Sequence, residues 1–413
     1  MFRMAKEKRF TQQAVITLMN HSIYQFGNSM SLIFLNLYLW RLTNSLLING
    51  LFNLIALFAQ AITTFSIGKI AKKKGRLMAY RSGIFITTLF YFFVLIAQEH
   101  IVSYFAFFAL LKGIGQALYW LGYFTIVHEV STDKNRHRYL GWNQIVTNGT
   151  NLAGPAVAGF IIGLYAGFQG YMIVFAAAFI MFIIAAVGSL QIKKEETHHR
   201  AYYMKYLPQM IKREPGFTKT LFGWFVIGFP HGILSFIPSI LLYNIFQEEQ
   251  SVAYLNVVFL SLSIIASYMI SRFARMEGTV LYLTISAAGL MLSSFFLLSE
   301  VAIWSVVLFM SIQSLFKPLQ QNSYEAYYYS WVNRLPLKEN FRVETIVLRE
   351  AIINLGRGMG IILFLIFSRD IHTSSIPWII FAVAAFQWLI PYLANDQKPT
   401  SLKKRSSIGE RLN

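Results

Sequence analysis

Two lysines stand inside apolar segments with the same neighbours at the same offsets. One set is Lys112, Gln116 and Tyr119; the other is Lys317, Gln321 and Tyr324. On a helix the fourth and seventh residues onward fall on one face. An ammonium buried without a partner is costly, so such a group marks a functional site by default. The chemistry open to it is capture of an anion, with the glutamines adding directional hydrogen bonds and Tyr119, Tyr324 and the nearby Trp120 an apolar wall. Arg357, in another apolar segment, adds a planar fork that grips a carboxylate, phosphate or phosphonate with two parallel bonds. One charged pattern in both halves of the chain suggests a pseudo-symmetric pathway between them.

The elements that must hold these groups are membrane helices. The chain has 413 residues, 56% hydrophobic and 13% charged, with a mean hydropathy of +0.50. That composition belongs to the bilayer rather than to a large soluble core. Apolar runs of roughly 18 to 25 residues recur along its length, each long enough to cross a membrane. They predict twelve spans, over 14–39, 47–68, 77–98, 101–127, 140–163, 170–190, 219–243, 252–271, 280–298, 302–326, 345–367 and 375–394. The basic start, Met1 to Arg9, precedes an apolar run too long for a cleaved signal peptide, so it is expected to lead into the first span.

With no cysteine, disulfide and thiolate chemistry are excluded. The short connections leave no room for a soluble catalytic domain. Phosphate-cradling glycine loops, paired catalytic carboxylates and a nucleophile elbow are not found. His198-His199 is too small a set to hold a metal. The chain is therefore expected to be neither an enzyme nor dependent on a cofactor or metal.

The net charge is +18. Its Lys and Arg cluster at the N-terminus, after spans 2, 4, 8 and 10, in the central loop and in the tail. The other loops hold essentially Arg41 and Arg369. This alternation follows the positive-inside rule and places both termini and the central loop in the cytoplasm. The basic loops are expected to meet anionic lipid headgroups, and nucleic acid is not an expected partner.

The polar stretch Gln191 to Phe217 divides the spans six and six. The division expected is a bundle over 1–190, a cytoplasmic linker over 191–218, a second bundle over 219–394 and a basic cytoplasmic tail over 395–413. A shift of about 205 residues sets Gly27 on Gly232 and Lys112 on Lys317, and about 206 sets Asn148 on Asn354, Asn151 on Arg357 and Gly154 on Gly360, as in parallel repeats. Two motifs add to this. After span 2, Gly68-Lys-Ile-Ala-Lys72-Lys73-Lys74-Gly75-Arg76 matches the glycines and final arginine of a G-x-x-x-D-R-x-G-R loop, with Lys72 at the acidic position. In span 5, Gly149, Gly154, Pro155 and Gly159 approximate G-P-x-x-G-G, where small residues permit close packing and proline softens the helix.

With these features the chain resembles the major facilitator superfamily of secondary transporters. The resemblance implies an all-α membrane fold of twelve transmembrane helices, in two six-helix bundles related by a pseudo-two-fold axis. It also implies that helices 1, 4, 7 and 10 line a central cavity. Those spans offer His21, Tyr24, Gln25 and Asn28; Lys112, Gln116, Tyr119 and Trp120; Trp224, Pro230 and His231; and Lys317, Gln320, Gln321, Tyr324 and Glu325. At about 1.5 Å per residue, Lys112 lies roughly 16 Å from the outer end of its span, near the midplane, with Lys317 and Arg357 at similar depth. No acidic residue shares that level. Lys112, Lys317 and Arg357 are therefore expected to receive an anionic group together. Glu129, Glu325, Arg349 and Glu350 form a second set, nearer the cytoplasm. It is read as a gate that forms and breaks as the halves rock, or as a carrier of a coupling proton, a role also open to His21.

The expected function is alternating-access transport of an organic or amphiphilic anion by a monomer in a bacterial cytoplasmic membrane. The span 5 motif leans toward export or antiport, and a lipid-linked anion that is flipped is included. Proton-coupled multidrug efflux is the first alternative. A membrane sensor or assembly partner that uses the fold without transport is the second.

Overall fold

In hydrocarbon every backbone N–H and C=O must be bonded within the chain. The computed structural model meets this with helices alone, no strand being present among the described residues. The structure describes residues 10–130, 136–193, 202–273, 276–335, 342–368 and 375–395. Lys134, His198, His199, Arg369, the first nine residues and the tail beyond 395 lie outside the described residues, as do the side chains of Lys72, Lys73, Lys74 and Glu129.

The N-terminal part comprises α1 (Gln12–Thr43), α2 (Leu46–Lys74), α3 (Arg76–Ala97), α4 (Phe105–Val130), α5 (Arg136–Gly163) and α6 (Gln169–Ser189). A short helix, α7 (Leu207–Arg213), lies in the linker. Then come α8 (Pro215–Ile233), α9 (Ile237–Phe246), α10 (Glu249–Phe273), α11 (Thr279–Ser299), α12 (Ile303–Val332), α13 (Arg342–Phe367), α14 (Ser375–Phe386) and α15 (Leu389–Ala394). Counting α8 with α9 and α14 with α15, ten crossings among the described residues are long and apolar enough to span a membrane. The two further long helices, α1 and α12, have 32 and 30 residues. They carry many of the polar side chains singled out from the sequence, and these lower their apolarity.

Local chemistry sets several boundaries. Thr11 caps α1 by accepting the Ala14 N–H at 3.1 Å. Pro215 stands at the start of α8, where its missing N–H costs nothing, so this crossing begins before the expected residue 219 and the linker is shorter than expected. Two expected single helices are broken. The crossing over 219–243 stops at Ile233 and restarts at Ile237, with Pro230 and Pro238 on either side of the break. The last crossing breaks at Gln387, which is fully buried. Its amide nitrogen donates to the Val226 carbonyl at 3.0 Å, and its side-chain oxygen accepts from Gln320 at 3.3 Å. At the joint of α2 and α3, Gly75 has φ of 123°, a conformation that glycine adopts without strain.

In the first half α1 packs on α5 and α6, and α4 on α2 and α3. In the second α8 packs on α13, and α11 on α12 and α14. Two seams join the halves, α2 on α13 and α5 on α10. Small residues permit the closest approaches. Gly154 of α5 lies against Ser29 of α1, and Gly360 of α13 lies against Phe229 of α8. These are corresponding helix pairs, so the repeat seen in the sequence reappears as packing. Gly27 and Gly232 do not repeat this agreement. Gly27 faces Met181 and Ala178 of α6, whereas Gly232 faces the Arg357 backbone on α13. Gly159 meets Ala253 across the α5–α10 seam.

A side chain at Gly154 would have to displace the α1 backbone. Gly154→Val is therefore expected to cost about 1–3 kcal/mol by overpacking. A lower thermal midpoint in detergent checks this; a midpoint equal to that of the wild type would contradict the close approach.

Candidate functional site

A cavity of about 650 Å³ lies between the halves, in the part of the membrane region nearest the basic loops. Its two walls differ in chemistry. Phe124 and Val127 of α4 and Leu140 and Gln144 of α5 form a neutral, largely apolar wall. The opposing wall, from α8, α12 and α13, carries Trp224, Gln321, Asn322, Tyr329 and all four charged groups: Glu325, Arg349, Glu350 and Arg357.

The charges are not equivalent. Arg349 donates to Glu325 at 2.8 Å and to Glu350 at 3.0 Å, and its guanidinium lies 5.6 Å from the Trp224 ring centre. Arg349 is held inside this cluster, with 12% of its side chain exposed, while Glu325 keeps 41%. Arg357 stands two turns deeper on α13. Its guanidinium donates to the side-chain oxygen of Asn354 at 2.9 Å, a neutral partner. Asn354 is fully buried, and its amide nitrogen has no partner. Arg357 is thus a partly accessible guanidinium at the inner end of a cavity. A guanidinium placed there suits a carboxylate or phosphate group.

Several expectations are corrected. The three cations do not form one site. Lys112 is buried, with its ammonium 5.1 Å from the Phe52 ring of α2 and away from the cavity lining. Since α4 begins only at Phe105, Lys112 is also nearer the outer end, at about 10 Å. Lys317 enters a small void inside the second half, beside His231. Tyr119 and Tyr324 are not cavity walls, because both are fully buried. Tyr324 donates to the Thr220 carbonyl at 2.8 Å. Tyr119 stacks on Tyr24 at 3.4 Å in an aromatic pile that includes Tyr80 and Tyr123, with Trp120 at its edge. Tyr24, also buried, bonds to Thr87. The spacing places these groups on one helix face, but in a bundle a polar face can meet another helix as readily as a cavity. The aromatic wall is instead Phe124, Trp224 and Tyr329.

His21 is bonded at both ring nitrogens, to Tyr119 at 2.7 Å and Thr147 at 3.3 Å, as a structural polar residue is. Gln25 bonds to Asn151 at 2.8 Å, tying α1 to α5. Gln116 and Asn28 are partly buried and outside the cavity lining. The gate expected from Glu325, Arg349 and Glu350 lies wholly on α12 and α13, so rocking of the halves does not pull it apart. Gln321 faces the cavity as expected and also approaches His231 at 3.5 Å.

Comparison with known proteins addresses the fold directly. A profile of the Major Facilitator Superfamily matches residues 17–328. The chain belongs to this superfamily. The uncharacterized protein YqgE of Bacillus subtilis (strain 168) is 26% identical over 344 residues, 83% of this chain and 80% of that protein. An uncharacterized protein of the sodM 3′ region from Geobacillus stearothermophilus is 27% identical over 175 residues, 42% of this chain and 82% of that protein. Among solved structures, a nucleoside transporter superposes with a TM-score of 0.72 at 10% identity, covering 93% of this chain and 99% of that one. A structure described as concerning proton-dependent oligopeptide transporters gives 0.70 at 11% identity, covering 92% and 97%. An outward-facing bacterial homologue of the iron transporter ferroportin gives 0.65 at 12% identity, covering 92% and 98%. These likenesses establish a multi-pass membrane fold of the superfamily's transporter type.

Within that superfamily fold, the face opposite the basic loops holds a contact that sequence reading did not identify. Arg41, at the end of α1, meets Glu249, at the start of α10, at 2.5 Å. Tyr171 donates to the same carboxylate oxygen at 3.0 Å, and Arg41 also donates to the Gly167 carbonyl at 3.1 Å. The guanidinium lies 4.8 Å from the Phe168 ring centre. This pair joins the two halves on that face, just beyond the Gly159–Ala253 approach. The available signal was the isolation of Arg41 on a face poor in cations.

Because the chain has no cysteine, spin labels can be placed cleanly at Leu47→Cys and Glu248→Cys, one on each side of the latch. Glu249→Ala is expected to lengthen and broaden the distance distribution between them. An Arg41→Glu, Glu249→Arg exchange is expected to restore it. An unchanged distribution in Glu249→Ala would show that the pair does not hold the halves together.

Proposed function

We propose that this superfamily member is a secondary transporter for a small amphiphilic organic anion, loaded from the basic-loop face. The observation that carries this reading is Arg357, which has a neutral partner at the inner end of the cavity while the neighbouring Arg349 is matched by carboxylates. The anionic group would bind Arg357, with Gln321 adding a hydrogen bond. The apolar body would lie on Phe124, Val127 and Leu140. Residues 1–190 and 219–394 would move as two bundles joined by the linker 191–218, with the Arg41–Glu249 pair opening when the far face opens. Lys112, Tyr119 and Tyr324 would act as packing and polar groups within their own halves.

With the basic loops in the cytoplasm, loading from that face gives export, antiport or flipping of an anionic lipid-linked molecule from a bacterial cytoplasmic membrane. Glu325, the most accessible carboxylate of the Arg349 cluster, is the best placed to exchange a coupling proton. The protein would act as a monomer.

A specific observation favours a second reading, efflux of cations. Glu325 and Glu350 both line the cavity, although Arg349 lies between them. The two readings separate in a thermal-shift screen of organic anions against organic cations. The lead reading expects stabilisation by anions, weakened at least tenfold, or about 1.4 kcal/mol, in Arg357→Gln, and partly kept in Arg357→Lys. Stabilisation by cations alone, lost in Glu325→Gln, would overturn it. Uptake into proteoliposomes checks transport itself. Binding without flux would identify a sensor or assembly partner.

A further inference from the structure

Apart from the central cavity, the second half contains a smaller, partly open void. It is framed by His231 and Leu234 at the end of the α8 crossing, Leu290 of α11, Lys317 and Gln320 of α12, and Gln387 at the α14–α15 break. Its volume is about 20 Å³, above the ~10–15 Å³ that one water-sized occupant requires. It is too small for an organic ion.

Lys317 reaches into this space, yet no acidic residue lines it. Arg357, which lines the neighbouring central cavity, is also positive. Of the carboxylates on α12 and α13, Glu325 and Glu350 are engaged by Arg349, and buried Glu344 accepts from the Tyr203 N–H. The amide nitrogens of the lining glutamines donate to other partners: Gln313 to Ser293, Gln320 to Gln387, and Gln387 to the Val226 carbonyl. A partly buried cation with no carboxylate beside it favours a nearby anion. The void offers room for a compact one, with Lys317 and His231 as donors and Leu234 and Leu290 as apolar walls.

We propose that this void binds a single compact inorganic anion of halide size on Lys317 and His231, at a site separate from that of the organic substrate on Arg357. The anion offsets the Lys317 charge inside the bundle. It also reaches the substrate site through His231, which contacts Gln321 of the central cavity. Chloride is the probe of choice.

Retention of radiolabelled chloride by the purified full chain tests this directly. Wild-type protein is expected to bind one chloride saturably and to melt higher in sodium chloride than in sodium gluconate at equal ionic strength. Bromide should substitute. Lys317→Gln should weaken binding at least tenfold, and Leu290→Phe, which fills the void, should do the same. Arg357→Gln should retain chloride while losing the organic-anion response, so failure of this site and failure of the transport reading are distinguishable. Wild-type protein that retains no chloride would overturn the proposal even if the variants do not fold. So would retention that survives Lys317→Gln and disappears in Arg357→Gln, which would place the ion in the central cavity.

Discussion

A full charge held away from water needs local compensation, and the second half of this protein is organised around that requirement. Arg349 has its compensation in two carboxylates and an aromatic face. Arg357 has a neutral amide, and Lys317 a void. Uncompensated burial costs several kcal/mol per ion. The arrangement is therefore stable only if something mobile, water or an anion, completes it. A transport protein differs from a merely folded one in keeping such incompleteness at a site that can be reached.

The first half meets the same problem differently. Its interior is polar but largely neutral. His21, Tyr24, Tyr80, Tyr119 and Tyr123 stack and hydrogen-bond among themselves, with Asn20 donating to Tyr80 at 2.9 Å. Hydroxyls and amides can be satisfied inside a bundle without counter-ions, so this half presents a smooth apolar surface to the cavity. The two halves share a backbone repeat, seen in the matching Gly154 and Gly360 contacts, while their side chains have diverged. One supplies a rigid neutral wall and the other a charged one.

Much of the fold was legible because a bilayer imposes length and composition on every crossing. The small residues of α5 were legible for the same reason, since close packing leaves a compositional trace. The breaks at residues 234–236 and at Gln387 were not, because hydropathy is nearly continuous across them. The Lys-Gln-Tyr pattern placed polar groups on one helix face, but sequence does not say what that face meets. For Tyr119 it meets its own bundle, and for Gln321 the cavity. Arg357 was found from its charge alone. The Arg41–Glu249 contact spans 208 residues of chain and follows from the docking of the halves, which no local spacing encodes.

The one-sided placement of charge in the cavity bears on how a membrane potential would act. The fixed charges that would face a substrate all ride on α12 and α13. The two arginines and two glutamates of the cavity sum to zero net charge. On the proposed reading, the empty protein returns with little net charge, and a bound monoanion adds one negative charge to the loaded step. A potential of 100 mV is worth about 2.3 kcal/mol per elementary charge carried fully across, and some fraction of that falls on the loaded step. The voltage sensitivity of the cycle would then reside in delivering the cargo rather than in resetting the empty carrier.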